Sequence, residues 1–240
     1  MTDLPAAERY IEDYLFEIPE ENRSERLLFS PPRGPRSIEI PSIEIAESRI
    51  MSKLHQATET EMNDGLNWYF DARALCDEWG PRFGIKPEQV AGIIAALSPL
   101  RSWESNLQVA EMFLETGHCP TLSHARRTAE DIKSGMSPEK AIFKDEKNNP
   151  KVRAFYRNIA FPHDSDDATI DRHMWTMLLD DPTAVSKANL WFSADENEWA
   201  QGVFRSIARK LSVLPHQVQA TTWVVQRRLR SETNGQMLLF

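Results

Sequence analysis

An aspartate and a histidine stand two residues apart in the run TIDRH at 169–173, where an amphipathic helix is due to begin. Asp171 at such a start meets unpaired N–H groups and the positive end of the helix dipole, which favour its ionised form. A carboxylate held this way can stabilise positive charge on a reacting carbon, or orient a water against it. The plain alternative is that Asp171 only caps, with His173 a partly buried polar neighbour. Cap and catalyst are compatible, because both need an ionised oxygen at the helix start. Earlier in the chain, Asn148, Asn149 and Pro150 form a turn, and Lys151 opens a second helix, KVRAFYRNIA at 151–160.

The elements that must position these groups are helices. Apolar residues recur at three- and four-residue steps through 46–79, with a break expected at Asp64–Gly65. Further helices are expected at 86–99, 102–117, 121–134, 137–143, 150–160, 170–179, 196–212 and 215–230. A capping box at Ser102, with Glu104 and Ser105 just after, opens one of them and Gly117 closes it. Convincing strands are scarce, so the expected class is all-α. Residues 5–17 read as a short helix, and the proline-rich FSPPRGPRSIEIPSIEI at 29–45 reads as an extended arm or an edge strand pair. The expected organisation is an N-terminal helix and proline-rich arm over 1–42, a helical domain over 43–230, and a flexible tail over 231–240.

Composition narrows the function classes. The 240 residues carry a formal net charge of −8, which argues against nonspecific coating of nucleic acid but not against a local basic face. No apolar run approaches the roughly 20 residues of a membrane span. MTDLPAAERY lacks a signal pattern, so a cytoplasmic location is expected. Cys76 and Cys119 are isolated, without the spacing of a metal or iron–sulfur site. No cofactor and no metal are expected.

The order helix, tight turn, lysine, helix, polar loop, apolar-Asp-x-His, helix resembles the helix-hairpin-helix DNA glycosylase superfamily. TIDRH resembles that family's catalytic segment, and VAGIIAALSPLRSWESNLQVAEMFL at 90–114 resembles an upstream helix pair. The hairpin here, NNPK, has no glycine. The resemblance implies DNA as partner and an enzyme that breaks an N-glycosidic bond on a flipped-out base, with Asp171 as the catalytic carboxylate and His173 beside it. Such cleavage builds oxocarbenium-like charge on the sugar, which an aspartate stabilises. Some family members use a lysine at the hairpin's end as a Schiff-base nucleophile, which falls on Lys151; a lysine gripping phosphate is the other reading. Asn148, Asn149, Lys151 and Arg153 would meet DNA, and Ser98, Trp103, Asn106 and Tyr156 would line the base pocket. A looser likeness to bacteriophage enzymes of thymine hypermodification, the α-glutamyl/putrescinyl-thymine pyrophosphorylase-like group, implies transfer chemistry as the alternative. A non-enzymatic, clamp-tethered DNA-binding protein is the reading from another class.

In LPHQVQATTWVVQRRLR at 214–230, Gln219, Trp223 and Arg227 share one helix face at four-residue spacing. They read either as core and solvated surface, or as base pocket (Gln219, Trp223) with phosphate contacts from Arg227, Arg228 and Arg230. Basic residues between Arg205 and Arg230 have no acidic neighbour in sequence, which fits either a DNA-facing patch or a plain basic surface. Trp68 and Trp103 are candidates for stacking on a base. Finally, QMLLF at 236–240 resembles the peptide that binds the bacterial sliding clamp. It would seat Gln236 in a polar notch and Met237, Leu239 and Phe240 in an apolar groove.

Overall fold

Short polar residues with extended backbones start most of the helices, because their side chains accept from N–H groups that have no intrahelical partner. The computed structural model describes residues 40–143, 150–181 and 193–237, with side chains to 232. Ser42 caps α1 (Ile43–Leu54), and Thr58 with Glu61 forms a reciprocal capping box on α2 (Glu59–Phe83), which Gly84 ends at φ 68°. Pro87 opens α3 (Pro87–Leu97), Ser102 caps α4 (Trp103–Thr116), and Gly117 ends it at φ 76°. Then come α5 (Ser123–Lys133), α6 (Pro138–Ile142), α7 (Pro150–Ala160), α8 (Arg172–Leu179), α9 (Ala194–Leu211) and α10 (Pro215–Met237). Every regular element among the described residues is a helix, and the chain is all-α.

Four local expectations are corrected. The break placed at Asp64–Gly65 falls instead at 55–58, and α2 runs through Gly65. The glycine serves close approach: a Cβ on Gly65 would lie 2.3 Å from the Thr221 Cα of α10. Ser42–Ile45 forms the cap and first turn of α1, not an arm or a strand, because Ser42 Oγ accepts from the Ile45 N–H. The Ser102 cap takes its hydrogen bond from Ser105 N–H at 3.2 Å, with no reciprocal side chain. The last helix passes 230 and reaches Met237, so the tail expected from 231 is helical in its backbone over most of its length. The expected helix at 5–17 and the arm up to residue 39 lie outside the described residues.

Apolar faces sort the helices into two cores. The larger joins α2 through α7 around Ile93, Ile94, Val109, Phe113, Ile132 and Ile159. The smaller joins α1, α8 and α9 around Ile50, Met174, Leu178, Phe204 and Ile207. Each fully buried Ile or Leu contributes enough that truncation to Ala costs about 2–5 kcal/mol. α10 serves both: Ala220 belongs to the first core and Val218 to the second. Ion pairs reinforce the joints. Lys210 meets Glu47 at 2.5 Å, and Arg228 meets Glu61 at 2.8 Å. The hydrogen bond from Lys210 holds the Glu47 carboxyl below its usual range, and that from Arg228 does the same for Glu61.

The segment between α7 and α8 crosses from one core to the other, and it is pinned on several sides. Gln201 on α9 donates to Ala168 O and accepts from Ala168 N–H, both at 2.7 Å. His216 Nε2 lies 2.8 Å from Pro162 O, and Arg205 Nε donates to Asp166 O at 3.0 Å. Arg73 donates to Ala160 O at the end of α7. These bonds fix the backbone immediately ahead of Thr169 and Asp171.

Candidate functional site

Asp171 is the N-cap of α8, with an extended backbone at φ −94° and ψ 179°. One oxygen, Oδ1, accepts from both His173 N–H and Met174 N–H at 2.9 Å. Oδ2 takes no hydrogen bond among the described residues. A single oxygen therefore does the capping and leaves the second for other partners.

Lys151, Arg230 and the His173 imidazole lie within electrostatic reach of this carboxylate, and Arg172 follows it in the chain. Burial leads in pulling Lys151 below its ordinary 10.5; Asp171 opposes the fall and Arg172 adds to it. Burial likewise leads in pulling His173 below 6.5, with Asp171 opposing and Arg230, Arg172 and Lys151 reinforcing. Arg230 Nη1 lies 2.7 Å from His173 Nδ1. An arginine nitrogen can only donate, so Nδ1 carries the lone pair and the imidazole is neutral with its proton on Nε2. Burial also leads in lowering Arg230, ahead of the repulsion from Arg172.

The His173–Arg230 bond gives a pH prediction. A histidine whose folded pKa is depressed withholds protons that the unfolded chain binds, so its stabilisation is complete above 6.5 and lost as pH falls from there through the folded pKa. His173→Gln keeps an acceptor for Arg230 and cannot titrate. Melting curves from pH 7.5 to 5 are expected to show a smaller acid loss in the variant than in the native protein. The buried His216 shifts in the same direction, so the difference between the two proteins carries the result.

Beside the charged cluster lies an aromatic group. Trp68 is its hub, with ring centres 4.6 Å from Tyr69, 4.7 Å from Trp103, 5.9 Å from Phe155 and 6.3 Å from Trp223. Trp68, Trp103 and Trp223 are half-buried, and Tyr69 is buried. The Arg227 guanidinium sits 4.7 Å over Trp223 and 3.8 Å from Glu104. A buried polar chain runs under the rings. Tyr69 Oη is 2.7 Å from Thr169 Oγ1 and 2.9 Å from Gln219 Oε1, while Asn158 Nδ2 donates to Thr169 Oγ1 at 3.1 Å. Burial raises the Tyr69 phenol far above its usual value and Asp171 adds to the rise, which places the carboxylate within electrostatic reach of this chain.

Among the sequence candidates, Asp171, Lys151 and His173 come together, and Gln219, Trp103 and Trp223 gather beside them. Tyr156 does not join them: its hydroxyl donates to Glu139 at 2.6 Å and its ring packs on Phe143 and Phe161 within the larger core. Asn106 is a buried tie between helices, donating to Ile94 O at 3.0 Å, and Ser98 is the buried cap residue after α3. Arg153 lies over the Phe143 ring at 4.6 Å. Arg228 is occupied by Glu61, Glu232 and the Gln56 carbonyl, so it is no free phosphate contact. Part of the basic stretch is in fact neutralised in space: Arg205 pairs with Asp166 and Asp167 of the segment after α7 and with Glu198 on its own helix, and Lys210 pairs with Glu47 of α1. Asn148 and Asn149, and the side chains of Gln236, Met237, Leu239 and Phe240, lie outside the described residues. Tyr69, Phe155, Asn158, Thr169 and Arg172 escaped the sequence reading. The one available signal was Asn158, a polar residue on the otherwise apolar face of α7.

Among the described residues, no group of three or more His, Cys, Asp or Glu side chains could hold a metal ion, and no helix is long and apolar enough to cross a membrane. No curated protein and no solved structure matches the chain. One family model does, over residues 37–231, and it takes in every described member of the cluster: the chain belongs to DUF7178, a family of unknown function.

Proposed function

We propose that the protein is a DNA base-acting enzyme of the glycosylase kind, working on a nucleotide extruded from the duplex. The observation that carries this reading is the convergence of Asp171, whose Oδ2 is uncommitted among the described residues, and three cations beside a group of aromatic rings. Lys151, Arg172 and Arg230 suit the phosphates that flank an extruded nucleotide. The tryptophans suit its base, since any base offers a face for stacking. Asp171 then stands against the sugar, where its charge stabilises the oxocarbenium-like transition state and orients water to C1′. The C1′–N bond breaks, the base leaves with the bonding electrons, and the water oxygen takes its place, its proton passing by way of Asp171 and solvent to the departing base. Lys151 is the second available nucleophile, because a lysine with a lowered pKa presents more free amine. A C-terminal peptide that engages a sliding clamp would raise the local concentration of such an enzyme at replicating DNA.

The test is to incubate the protein with duplexes carrying uracil, oxidised, alkylated or hypermodified bases and to follow free bases, abasic sites and nucleoside masses by mass spectrometry. Release of a base supports excision. A mass change on a retained base moves the reading to transfer chemistry, and DNA binding without any product reduces the protein to a binding module. Borohydride trapping on abasic DNA reads out Lys151 separately.

A further inference from the structure

Gln219 is 5% exposed, yet only one arm of its amide is satisfied. Oε1 is bonded to Tyr69, whereas Nε2 has no hydrogen-bond partner among the described residues and is not among the side-chain atoms fully shut off from solvent. The residue is buried but this one nitrogen opens to solvent, so a ligand that reaches it takes the place of water at a fixed donor. Which arm it presents is set by a chain of hydrogen bonds whose direction can be worked out.

The chain begins at Ser165. Its Oγ lies 2.5 Å from Asn158 Oδ1, a length typical of O–H···O, and the other arm of Asn158 lies 3.1 Å from Thr169 Oγ1, a length typical of N–H···O. Asn158 is thereby oriented: it accepts from Ser165 and donates to Thr169. The two hydroxyls of Thr169 and Tyr69 lie 2.7 Å apart and either could donate, but Thr169 has no other acceptor for its proton among the described residues whereas Tyr69 has Gln219 Oε1, so Thr169 donates to Tyr69. Tyr69 has one proton and two oxygen neighbours, and having accepted from Thr169 it donates to Gln219. The phenol stays protonated because burial holds its pKa far above the working range. The relay runs one way, from Ser165 through Asn158, Thr169 and Tyr69 to Gln219. It holds the amide with its oxygen on Tyr69 and its NH2 group available, one helical turn from Trp223.

Resting on the base-acting reading above, we propose that Gln219 selects the extruded base by a carbonyl: the fixed Nε2 donor accepts keto bases, such as uracil, thymine or hypoxanthine, and rejects their amino counterparts, cytosine and adenine. A base with an amino group at that point sets donor against donor and leaves both unsatisfied. Discrimination of about tenfold is the scale for one mismatched buried hydrogen bond.

The test uses the full chain and duplexes carrying one uracil, cytosine, hypoxanthine or adenine nucleotide opposite an abasic-site analogue, so that loss of pairing is the same for all. Each test nucleotide is 2′-fluorinated to resist glycosidic cleavage, and affinities are read by fluorescence anisotropy. Uracil is expected to bind about tenfold tighter than cytosine, and hypoxanthine about tenfold tighter than adenine. Thr169→Val keeps the shape of the side chain but cuts the relay, letting the amide turn over; both ratios should fall below about threefold, and Thr169→Ser should restore them. Equal affinities in the native protein overturn the inference while leaving the base-acting reading in place. So does full discrimination in a folded Thr169→Val protein. Binding no tighter than to a fully paired duplex overturns both.

Discussion

On the proposed base-acting function, Asp171→Asn is expected to give a folded protein that still binds DNA and forms product about 10³-fold more slowly than the native protein. The substitution separates two roles that the carboxylate combines. Asparagine caps a helix about as well as aspartate, so the bonds from His173 N–H and Met174 N–H to Oδ1 survive. The helix loses only the charge–dipole part of its cap, about 0.3–1 kcal/mol. The amide, however, cannot offset positive charge on the sugar or draw a proton from water. Affinity for DNA should hold or rise, because Lys151, Arg172 and Arg230 are then no longer offset by an anion in their midst. Asp171→Ala sharpens the comparison: it should lose the same rate and, in addition, about 1 kcal/mol of stability through the missing cap. Product formation by mass spectrometry, melting temperature and anisotropy separate the three effects. If the asparagine variant works within tenfold of the native rate, Asp171 is a cap and nothing more.

Gly65→Ala is expected to destabilise the fold by about 2 kcal/mol or more, although the same change at Gly202 should stabilise it by up to about 1 kcal/mol. Both glycines lie inside helices, where alanine is intrinsically better. They differ in what faces them. A Cβ on Gly202 meets nothing within 4 Å, whereas one on Gly65 would lie 2.2 Å from Thr221 Oγ1, 2.3 Å from its Cα and 2.6 Å from its N. Two of those three atoms are backbone, so no rotamer relieves the clash and α10 must move away from α2. The displacement carries Gln219 and Trp223 with it, and Gln219 would leave Tyr69. The variant is therefore expected to lose activity beyond its loss of stability. Thermal melts of the two alanine variants, with opposite signs, check the packing argument; activity well below the melting transition checks the consequence for the site. A Gly65→Ala protein as stable as the native one would mean that the helices do not approach as described.

What could be read in the sequence was local. Ser102, Gly117 and Asp171 act within three or four residues of themselves, and their types announce where helices start and stop. The helical class followed from the three- and four-residue spacing of apolar side chains, because that spacing is itself the geometry of a helix face. Contacts between distant parts of the chain left no such mark. Tyr69 is 100 positions from Thr169 and 150 from Gln219, and nothing in a tyrosine's neighbours names its partners. Gly65 was misread because a glycine either interrupts a helix or lets another helix come close, and only the opposing Thr221 decides between them. Tyr156 was misread for a similar reason: it follows Lys151 closely in sequence but lies on the side of α7 that faces Glu139. The apparent basic face near the C-terminus fails most instructively. Arg228 finds Glu61 from 167 positions away, so a stretch without acidic neighbours in sequence has them in space.

That internal pairing has a consequence for how the protein would meet DNA. Positive groups already matched to carboxylates displace few condensed counterions when a duplex arrives, and Lys151, Arg172 and Arg230 are the ones within electrostatic reach of the candidate acid. Ionic strength should then be a weak lever on affinity: with three phosphates neutralised by Lys151, Arg172 and Arg230, the logarithm of the binding constant would fall with that of salt at a slope of about −3, far gentler than for a protein that coats the backbone. Such a protein does not linger on arbitrary duplex. Its hold would depend on whether a nucleotide has swung out to be held.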